Sequence, residues 1–365
     1  MIRVQVEVKA RPYDVLVESG LLLRAGVVLR ELLPSHGKFF VVTVAPVRQR
    51  WGKKLMASLG DAGLAAQIVE MPDGEINKKL ATVEILAQKL ARLGADRNSV
   101  LIAFGGGVVG DVTGLLASLY MRGVELVQIP TTVVAQVDAS IGGKTGVNLR
   151  AGKNLMGTFH QPKAVLVDPA VLSSLTERQF RSGLYESLKC GVIGNADLFA
   201  QFENNKDKIL QRDHKVLESI FAESIKLKAA IVAADEREGG LRRVLNFGHT
   251  IGHALETETR YRKLLHGEAV AWGMVAATNI ALATRRIDSV VAGRITDGVL
   301  GLGKLPQVSV RRANILKGLR ADKKTMAGVI HFVLPVAIGK VEVVNDVPEQ
   351  VVLDAVDELG RLSKP

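Results

Sequence analysis

The sequence predicts an α/β fold, in which an N-terminal domain built on a parallel sheet is followed by a mostly α-helical domain. Short apolar runs alternate with longer amphipathic segments up to about residue 171, and long helical patterns replace them from residue 172 onward. Continuously apolar strands are typical of a sheet covered on both faces, and their alternation with helices is typical of parallel strands. We therefore expect one domain at residues 1–171 and a second at residues 172–365.

Apolar runs and one helical repeat predict the elements of the first domain. Leu86, Leu90 and Leu93 recur with the period of a helix that has one apolar face. The predicted strands are FFVVTV (39–44), SVLIAF (99–104), ELVQIP (125–130) and AVLVD (164–168). In the second domain we expect helices around residues 176–190, 207–235, 247–260, 266–286 and 346–361, and a hairpin at residues 331–344.

The composition indicates a globular protein with a sizeable core. Of its 365 residues 47% are hydrophobic, and no apolar run approaches the roughly 18 to 20 residues of a membrane helix. The N-terminus lacks the apolar stretch of a secretory signal, so we expect a cytoplasmic protein without membrane contact. The single cysteine, Cys190, excludes an internal disulfide, and its surroundings favour a buried side chain over a nucleophile.

The net charge of +11 fits two kinds of partner, nucleic acids and anionic small molecules. Lysine and arginine are spread along the chain without a long basic block, and aromatic residues make up only 4%, which leaves few platforms for base stacking. The distribution therefore favours an anionic small molecule and argues against nucleic acid.

A glycine-rich turn, GGGVVGD (105–111), directly follows the SVLIAF strand and precedes an apolar helix that we expect to begin near Val112. Gly105, Gly107 and Gly110 fit the G-x-G-x-x-G pattern, which lets the backbone approach a pyrophosphate at a helix N-terminus. A tight turn that needs glycine for backbone reasons explains the same residues. Nucleotide binding and a purely structural turn both remain open on this motif alone.

Two polar stretches are further candidates. DGEINKK (73–79) precedes a helix, and it is either a solvated helix start or part of a site. Residues 130–162 form a long polar segment, and a loop of this length in a compact domain is usually functional or disordered. The apolar residues within it argue against disorder. Its chemistry-bearing residues are Asp138, Lys144, Asn148, Lys153 and Asn154. Lys144 and Lys153 lie in glycine-rich surroundings, where their flexible charges suit contacts with phosphate.

Two histidines in LNFGHTIGHALE (245–256) stand four residues apart, which places them on one helix face. Zinc proteases use this spacing with a glutamate between the histidines, but here no base intervenes. By spacing alone, His249, His253 and one unspecified carboxylate are candidate metal ligands. Glu186 is a carboxylate on an amphipathic helix, and His266 follows at the next helix start. Buried histidines that only form hydrogen bonds are the alternative.

Taken together, these motifs resemble the 3-dehydroquinate synthases of the shikimate pathway, over roughly residues 70 to 340. The matching segments, in chain order, are GGGVVGD, QIPTTVVAQVDASIGGKTGVN, GKNLMGTFHQP, GLYESLKCGVI, DEREGGLRRVLNFGHTIGHALE and LHGEAVAWGM. The resemblance implies a Rossmann-like nucleotide domain, a mostly helical metal-binding domain and a homodimer. It also implies conversion of 3-deoxy-D-arabino-heptulosonate 7-phosphate, an anionic sugar phosphate, to 3-dehydroquinate and phosphate, with NAD and one divalent metal, zinc or cobalt.

The resemblance assigns roles to residues by position in the matching motifs. It implies that the metal ligands are Glu186, His249 and His266, whereas His253 assists with the substrate phosphate. Implied residues around the substrate are Asp138, Lys144, Asn154, Lys189, Lys228, Arg242, Asn246 and Lys324, with Lys323 as the alternative to Lys324. Arg122 matches a residue that reaches into the partner subunit's site. Implied residues in or bordering the NAD pocket are Glu75, Lys78, Gly106, Gly107, Asp111, Thr131, Thr132, Lys144, Lys153, Ser174, Gln179 and Glu238.

Three positions depart from the family pattern. Val44 stands where the family commonly has Asp or Asn to bond the adenosine ribose, and Ser174 and Gln179 replace a typical Thr and Glu near the cofactor. These changes bear on the strength of NAD binding.

Other activities fit parts of the same pattern. Cyclases acting on other sugar phosphates share the NAD and metal chemistry, but Lys228 and Arg242 favour a substrate with a carboxylate. An aminated analogue of the heptulosonate phosphate keeps that carboxylate and stays open. An NADH-releasing, metal-dependent alcohol dehydrogenase and a nucleic-acid binder are the alternatives from other functional classes.

Overall fold

The fold is known from a computed structural model, which describes residues 1–9, 11–259, 262–308, 312–321 and 330–363. The chain divides into two compact units, the first comprising Met1–Leu175 and Leu217–Arg237, the second Thr176–Val216 and Glu238–Pro365. The predicted α/β class, a parallel sheet followed by helices, is confirmed.

The units differ from the predicted domain limits in one respect. Residues 172–175 and 217–237, which the sequence places in the second domain, belong to the first unit. Glu218 accepts a hydrogen bond from the backbone N of Ser19 at 2.7 Å, and Lys228 Nζ donates to Asp138 Oδ1 at 2.6 Å. These long-range bonds tie a helix from later in the chain to the first unit.

Eleven strands occur in the described residues. They are β1 (Ile2–Val6), β2 (Tyr13–Val17), β3 (Lys38–Thr43), β4 (Ala65–Glu70), β5 (Ser99–Gly105), β6 (Glu125–Pro130), β7 (Lys144–Leu149), β8 (Gly152–Phe159), β9 (Ala164–Val167), β10 (Phe332–Ala337) and β11 (Lys340–Val344). The central sheet has the order β1-β2-β9-β6-β5-β3-β4, and every pair in it is parallel except β1 with β2. The four predicted strands are confirmed as β3, β5, β6 and β9, and the predicted hairpin as β10 and β11.

Strand β5 explains why the sheet is read as continuously apolar. All seven of its residues are buried, and the five hydrophobic ones alternate between two hydrophobic cores on opposite faces. Leu101 and Ala103 belong to one core, whereas Val100, Ile102 and Phe104 belong to the other. Helices therefore cover both faces of the sheet, and polar groups are left for the strand ends.

The helices have the following bounds. They are α1 (Ala25–Leu32), α2 (Ala45–Val47), α3 (Lys53–Asp61), α4 (Leu80–Arg92), α5 (Gly107–Leu119), α6 (Glu177–Gly194), α7 (Ala196–Asn204), α8 (Lys206–Leu210), α9 (His214–Ala234), α10 (His249–Glu258), α11 (His266–Ala283), α12 (Ser289–Leu300), α13 (Arg312–Ala321) and α14 (Glu349–Leu362). No helix in the described ranges has the length and apolar character needed to cross a bilayer. Cys190 is buried, as expected.

The helix predicted at residues 207–235 is wrong in one detail, because it is broken into α8 and α9. Arg212 has a backbone φ of 61°, which no continuous right-handed helix accepts. The Asp213 side chain then accepts a hydrogen bond from Val216 N at 3.0 Å and caps the new helix. The helix predicted from Val112 also begins earlier, at Gly107, so its N-terminus directly follows the glycine-rich turn.

The prediction of a long loop at residues 130–162 is wrong in its second half, because residues 144–159 form the antiparallel hairpin of β7 and β8. Gly146 and Gly157 allow the two strands to pass closely, since a Cβ on Gly157 would lie 1.9 Å from Thr145 O. Glycine and polar residues have low strand propensity, so local sequence does not reveal this hairpin.

Candidate active site

Three side chains of the second unit converge on one point. Glu186 Oε1 lies 3.6 Å from His249 Nε2 and 3.4 Å from His266 Nε2, and the three ligand atoms form a cluster within 4.8 Å. Ligands of a tetrahedral zinc ion, at about 2.0 to 2.2 Å from the metal, lie about 3.3 Å apart. Glu186 Oε1 is fully buried without a hydrogen bond to the described residues, an arrangement that a cation would satisfy. These residues fit a divalent metal.

The second nitrogen of each imidazole ring is also engaged. His249 Nδ1 lies 3.2 Å from the backbone carbonyl of Phe247, and His266 Nδ1 lies 3.4 Å from Glu256 Oε2. Both acceptors favour a proton on Nδ1 and direct Nε2 toward Glu186. Metal-binding histidines commonly donate their other N–H to a carbonyl or a carboxylate in this way.

Glu186 is held in its charged form. Its Oε2 accepts a hydrogen bond from Lys189 Nζ at 2.5 Å, and both side chains are almost fully buried. Burial disfavours the charge, but Lys189, His249 and His266 outweigh burial, so the pKa of Glu186 lies well below its usual value. A carboxylate that is ionised at every physiological pH is a suitable metal ligand.

Glycines bring the three ligand-bearing helices into contact. A Cβ on Gly267, next to His266, would lie 1.7 Å from Ser182 O on α6, and a Cβ on Gly273 would lie 1.8 Å from Gly248 O. A Cβ on Gly252 would lie 2.9 Å from Ala269 O. Gly252, a poor helix former, is thus required by the close approach of α10 and α11.

The spacing-based interpretation pairs His249 with His253, and the described residues do not form that cluster. His253 lies in the next turn of α10, with its ring centroid 5.4 Å from that of His249 and 6.1 Å from that of His266. Glu186, His249 and His266, the set implied by the resemblance, come together instead. Spacing along one helix does not reveal a ligand that a later helix supplies.

Other predicted residues of the second unit lie on nearby or separate elements. Arg242 is buried and Asn246 is half-buried in the turn of 3₁₀ helix Leu241–Asn246, which leads to His249. Glu238 precedes this turn with a φ of 64°. Gln179 is exposed in the first turn of α6, where it completes a capping box with Thr176. Lys324, and its alternative Lys323, lie outside the described residues.

In the first unit, the predicted cofactor residues gather at the carboxyl ends of neighbouring parallel strands. Gly106 and Gly107 follow β5, Thr131 and Thr132 follow β6, and Thr131 N donates to Gly105 O at 2.9 Å. A Cβ on Gly106 would lie 3.2 Å from Thr132 Cγ2, which is a tight contact. Because glycine has no side chain, the backbone N–H groups at the start of α5 stay accessible. Ligands of α/β sheets bind at this edge, so these residues fit a dinucleotide.

A polar network joins the DGEINKK segment to the β7–β8 hairpin. Buried Lys78 donates from Nζ to Asp111 Oδ2 and to Asn154 Oδ1, both at 2.5 Å. Asn148 donates to Glu75 Oε1 at 2.8 Å and accepts from Asn154 N at 2.9 Å. Burial raises the pKa of Asp111, and the charge of Lys78 opposes that rise. The interpretation of this segment as a solvated helix start is therefore wrong for Lys78, which is buried.

The remaining predicted residues of the first unit divide between buried and exposed positions. Lys228, buried on α9, donates to both the Oδ1 and the backbone O of Asp138. Lys144 is exposed at the start of β7, and Lys153 is half-buried on β8. Arg122 is exposed at the end of a short turn, with a φ of 68°.

The departures from the family pattern have definite surroundings. Val44 is buried at the carboxyl end of β3, and it offers no side-chain hydrogen bond to a ribose there. The hydroxyl of Ser174 accepts from Trp51 Nε1 at 3.0 Å and donates to Val171 O at 2.9 Å. These bonds engage the hydroxyl within the protein itself.

Sequence reasoning missed the roles of two residues of the site. Glu256 lies beside His266, and its position three residues after His253 on one helix face was the signal that could have identified it. Asn148 was noted only as a polar residue, and its role in linking Glu75 to Asn154 depends on a hairpin that local sequence does not predict.

Comparisons with known proteins agree with this geometry. Family models described as 3-dehydroquinate synthase N-terminal and C-terminal match residues 68–182 and 183–325. The 3-dehydroquinate synthase of Koribacter versatilis (strain Ellin345) is 53% identical over 100% of this chain and 99% of its own length.

Solved structures extend the likeness to three dimensions. 2-epi-5-epi-valiolone synthase of Streptomyces hygroscopicus subsp. jinggangensis 5008, with NAD⁺ and Zn²⁺ bound, is 32% identical with a TM-score of 0.88, covering 96% of this chain and 97% of that one. A 2-deoxy-scyllo-inosose synthase with carbaglucose-6-phosphate, NAD⁺ and Co²⁺ is 25% identical with a TM-score of 0.87, covering 98% and 100%. On the family models and the full-length similarity, the chain belongs to the 3-dehydroquinate synthase family.

Proposed function

We propose that this protein converts 3-deoxy-D-arabino-heptulosonate 7-phosphate to 3-dehydroquinate and phosphate. The observation that carries the proposal is the similarity to 3-dehydroquinate synthases over the full length of the chain. The cluster of Glu186, His249 and His266 supports it, because this chemistry requires a divalent metal. A sugar phosphate also suits the net positive charge.

Glu186, His249 and His266 would hold the metal, zinc or cobalt. Three protein ligands leave coordination positions open, so a bound divalent cation would lower the pKa of a substrate hydroxyl and polarise a ketone as a Lewis acid. Lys189 keeps Glu186 charged and fixes its orientation through Oε2. The carbonyl of Phe247 and the carboxylate of Glu256 hold the imidazole rings.

The glycine turn and the network around Lys78 would hold NAD. The chemistry that NAD would supply there is reversible hydride transfer, so that the reaction involves no net oxidation. The N–H groups at the start of α5 would bind the pyrophosphate. Asp111 and Glu75 would border the cofactor, because Lys78 positions the first and Asn148 the second.

The substrate phosphate has its own set of partners in this proposal. Lys144, Asn154, Asn246 and His253 would bind it, and Arg122 would reach it from a second copy of the chain in a homodimer. Oxidation of the neighbouring hydroxyl to a ketone would acidify the C–H bond beside the leaving phosphate, and the phosphate itself would accept that proton in a syn elimination. Ring opening and aldol closure then join two ends of one molecule, so positioning supplies much of the rate.

The carboxylate distinguishes this substrate from those of related cyclases. Lys228 and Arg242 are buried cations, and a buried cation requires an anionic partner. In the first unit Lys228 donates a hydrogen bond to Asp138. We propose that Lys228 and Arg242 both favour the binding of an acidic substrate. A cytoplasmic location and a homodimer accompany the proposal as predictions.

A phosphate-release assay tests the proposal. The purified protein is given the heptulosonate phosphate, a heptulose phosphate without the carboxylate, and glucose 6-phosphate, each with NAD and metal supplied or withheld. We expect phosphate release only from the first substrate and only with both cofactors. Sustained accumulation of NADH at 340 nm would reject the cyclase in favour of a dehydrogenase. Phosphate release only from a substrate without a carboxylate would reject the proposed substrate. A protein that releases no phosphate and binds nucleic acid in a salt-sensitive way would reject both the cyclase reaction and the substrate.

A further inference from the structure

Glu256 is a buried carboxylate that the proposed reaction does not use directly. It lies on α10, one turn after His253, and only 5% of its surface is exposed. Its Oε2 lies 3.4 Å from His266 Nδ1, while the other nitrogen of the same ring faces Glu186 Oε1. A buried carboxylate is costly unless it is paired, so its position beside the ring calls for a reason.

The geometry resembles the carboxylate–histidine–metal arrangement of many metal sites. When Nδ1–H is bonded to a carboxylate, the lone pair of the ring is confined to Nε2, the ring orientation is fixed, and the basicity of the ligand increases. All three consequences favour a metal that is bound at Nε2 of His266.

The two ligand histidines differ in how their orientation is secured. His249 is oriented by the backbone carbonyl of Phe247, which no substitution of a side chain removes. His266 depends on the side chain of Glu256, and its ring is more exposed, with 39% of the side chain accessible compared with 11% for His249. The more exposed ligand is therefore the one whose geometry can be weakened by a single substitution.

A direct role of Glu256 as a ligand is the competing interpretation. His253, Glu256 and His266 also place ligand atoms within 4.8 Å of one another. A ring that binds one ion through Nε2 and donates Nδ1–H to a carboxylate has no lone pair left for a second ion. The cluster with Glu186 has the buried oxygen without a hydrogen bond, which makes it the better metal site.

We propose that Glu256 is a positioning residue, which fixes the tautomer and the orientation of the metal ligand His266 and thereby raises metal affinity. This inference rests on the metal site in the proposed function. It predicts that Glu256 influences the metal without touching it, so that removing the carboxylate weakens binding but does not abolish it.

Metal affinity provides the test. The dissociation constants of Zn²⁺ and Co²⁺ are measured by chelator competition at one pH for the parent protein, Glu256→Gln, Glu256→Ala and His249→Ala. Loss of an outer partner typically costs about 10- to 100-fold in affinity. We expect a loss of that size for Glu256→Ala, a smaller loss for Glu256→Gln, which keeps a hydrogen-bond acceptor, and a much larger loss for His249→Ala.

Glu258 provides the matched control, because it is a carboxylate on the same helix that accepts a hydrogen bond from Asn314 Nδ2 at 2.9 Å. Glu258→Gln should leave the metal affinity within about twofold of the parent value, a difference much smaller than that of an outer partner. Unchanged affinity in both Glu256 variants would overturn the proposal, and so would a loss in Glu256→Ala as large as in His249→Ala. If Glu256→Ala does not fold, Glu256→Gln decides alone. A loss of metal affinity larger than that of Glu258→Gln supports the proposal, and the absence of such a loss overturns it.

Failure of the proposed role of Glu256 can be distinguished from failure of the proposed function. A parent protein that releases phosphate, together with Glu256 variants of normal metal affinity, rejects only the role of Glu256. A parent protein that binds metal through His266 but releases no phosphate from the heptulosonate rejects only the proposed reaction.

Discussion

Glu186 Oε1 and His266 Nε2 lie 3.4 Å apart, and this contact depends on the way α11 packs against α6. Gly267, the residue after His266, lies against the backbone carbonyl of Ser182 on α6, where a Cβ would approach to 1.7 Å. The glycine beside the ligand therefore permits the close approach of α11 to α6 that places His266 next to Glu186.

The first prediction concerns this glycine. In Gly267→Ala the helices must separate, which should cost about 1 to 3 kcal/mol of unfolding free energy and also weaken metal binding. Gly293 on α12 is the control, because nothing lies within 4 Å of a Cβ there, and Gly293→Ala should stabilise the protein by about 0.5 to 1 kcal/mol. Urea unfolding and chelator competition measure the two effects. Normal metal affinity in Gly267→Ala would mean that helix packing does not set the ligand geometry.

The second prediction separates the two histidines of α10. His249→Ala should lose metal and activity together, because it removes a ligand from a three-ligand site. His253→Ala should retain metal and lose rate, because its ring lies outside the Glu186 cluster. Metal analysis of both purified variants decides the matter. Loss of metal from His253→Ala would restore the interpretation based on spacing.

The third prediction concerns pH. Burial disfavours a charged ring, but Glu186 and Glu256 outweigh it and raise the pKa of His266 to about 10 in the absence of metal. The protonated ring stabilises the metal-free fold fully below the ordinary histidine pKa, and this contribution is lost as the pH rises through about 10. A metal requires a ring without the proton on Nε2, so its uptake near neutral pH must release that proton.

Apparent metal affinity should therefore rise about tenfold per pH unit from pH 6 to pH 8. Calorimetry in two buffers with different ionisation enthalpies counts the protons released. Uptake without proton release would contradict the protonation assigned to His266.

The fourth prediction concerns the polar network of the first unit. Lys78→Met leaves Asp111 without its cation, and Asp111→Asn leaves Lys78 without its anion. Because the two groups are in contact, a double-mutant cycle should give a coupling of about 1 to 3 kcal/mol in unfolding free energy. Lys78→Met should also weaken NAD binding, which titration calorimetry measures. Additive effects of the two substitutions would show that the contact contributes little.

The sequence predicted the central strands because their apolar runs are local signals, and β5 is buried along its whole length as expected. It did not predict the β7–β8 hairpin, whose glycines matter only through the close approach of the strands, or the position of Asn148 between Glu75 and Asn154. These features depend on contacts between distant segments.

The metal site illustrates the same limit. Periodicity along α10 links His249 to His253, whereas Glu186 and His266 come from two other helices that glycines bring close. The resemblance to a known family implied the set that comes together in the structure, because a family pattern carries information about three-dimensional contacts that spacing lacks. Neither the spacing nor the resemblance identified Glu256, because its role depends on a contact with Nδ1 of His266.

The location of the metal tests the central claim most directly. Crystals of the protein prepared with Co²⁺ should give one anomalous peak, about 2.0 to 2.2 Å from Glu186 Oε1, His249 Nε2 and His266 Nε2. A peak bound by His253 and Glu256, or one away from Glu186, would contradict the account.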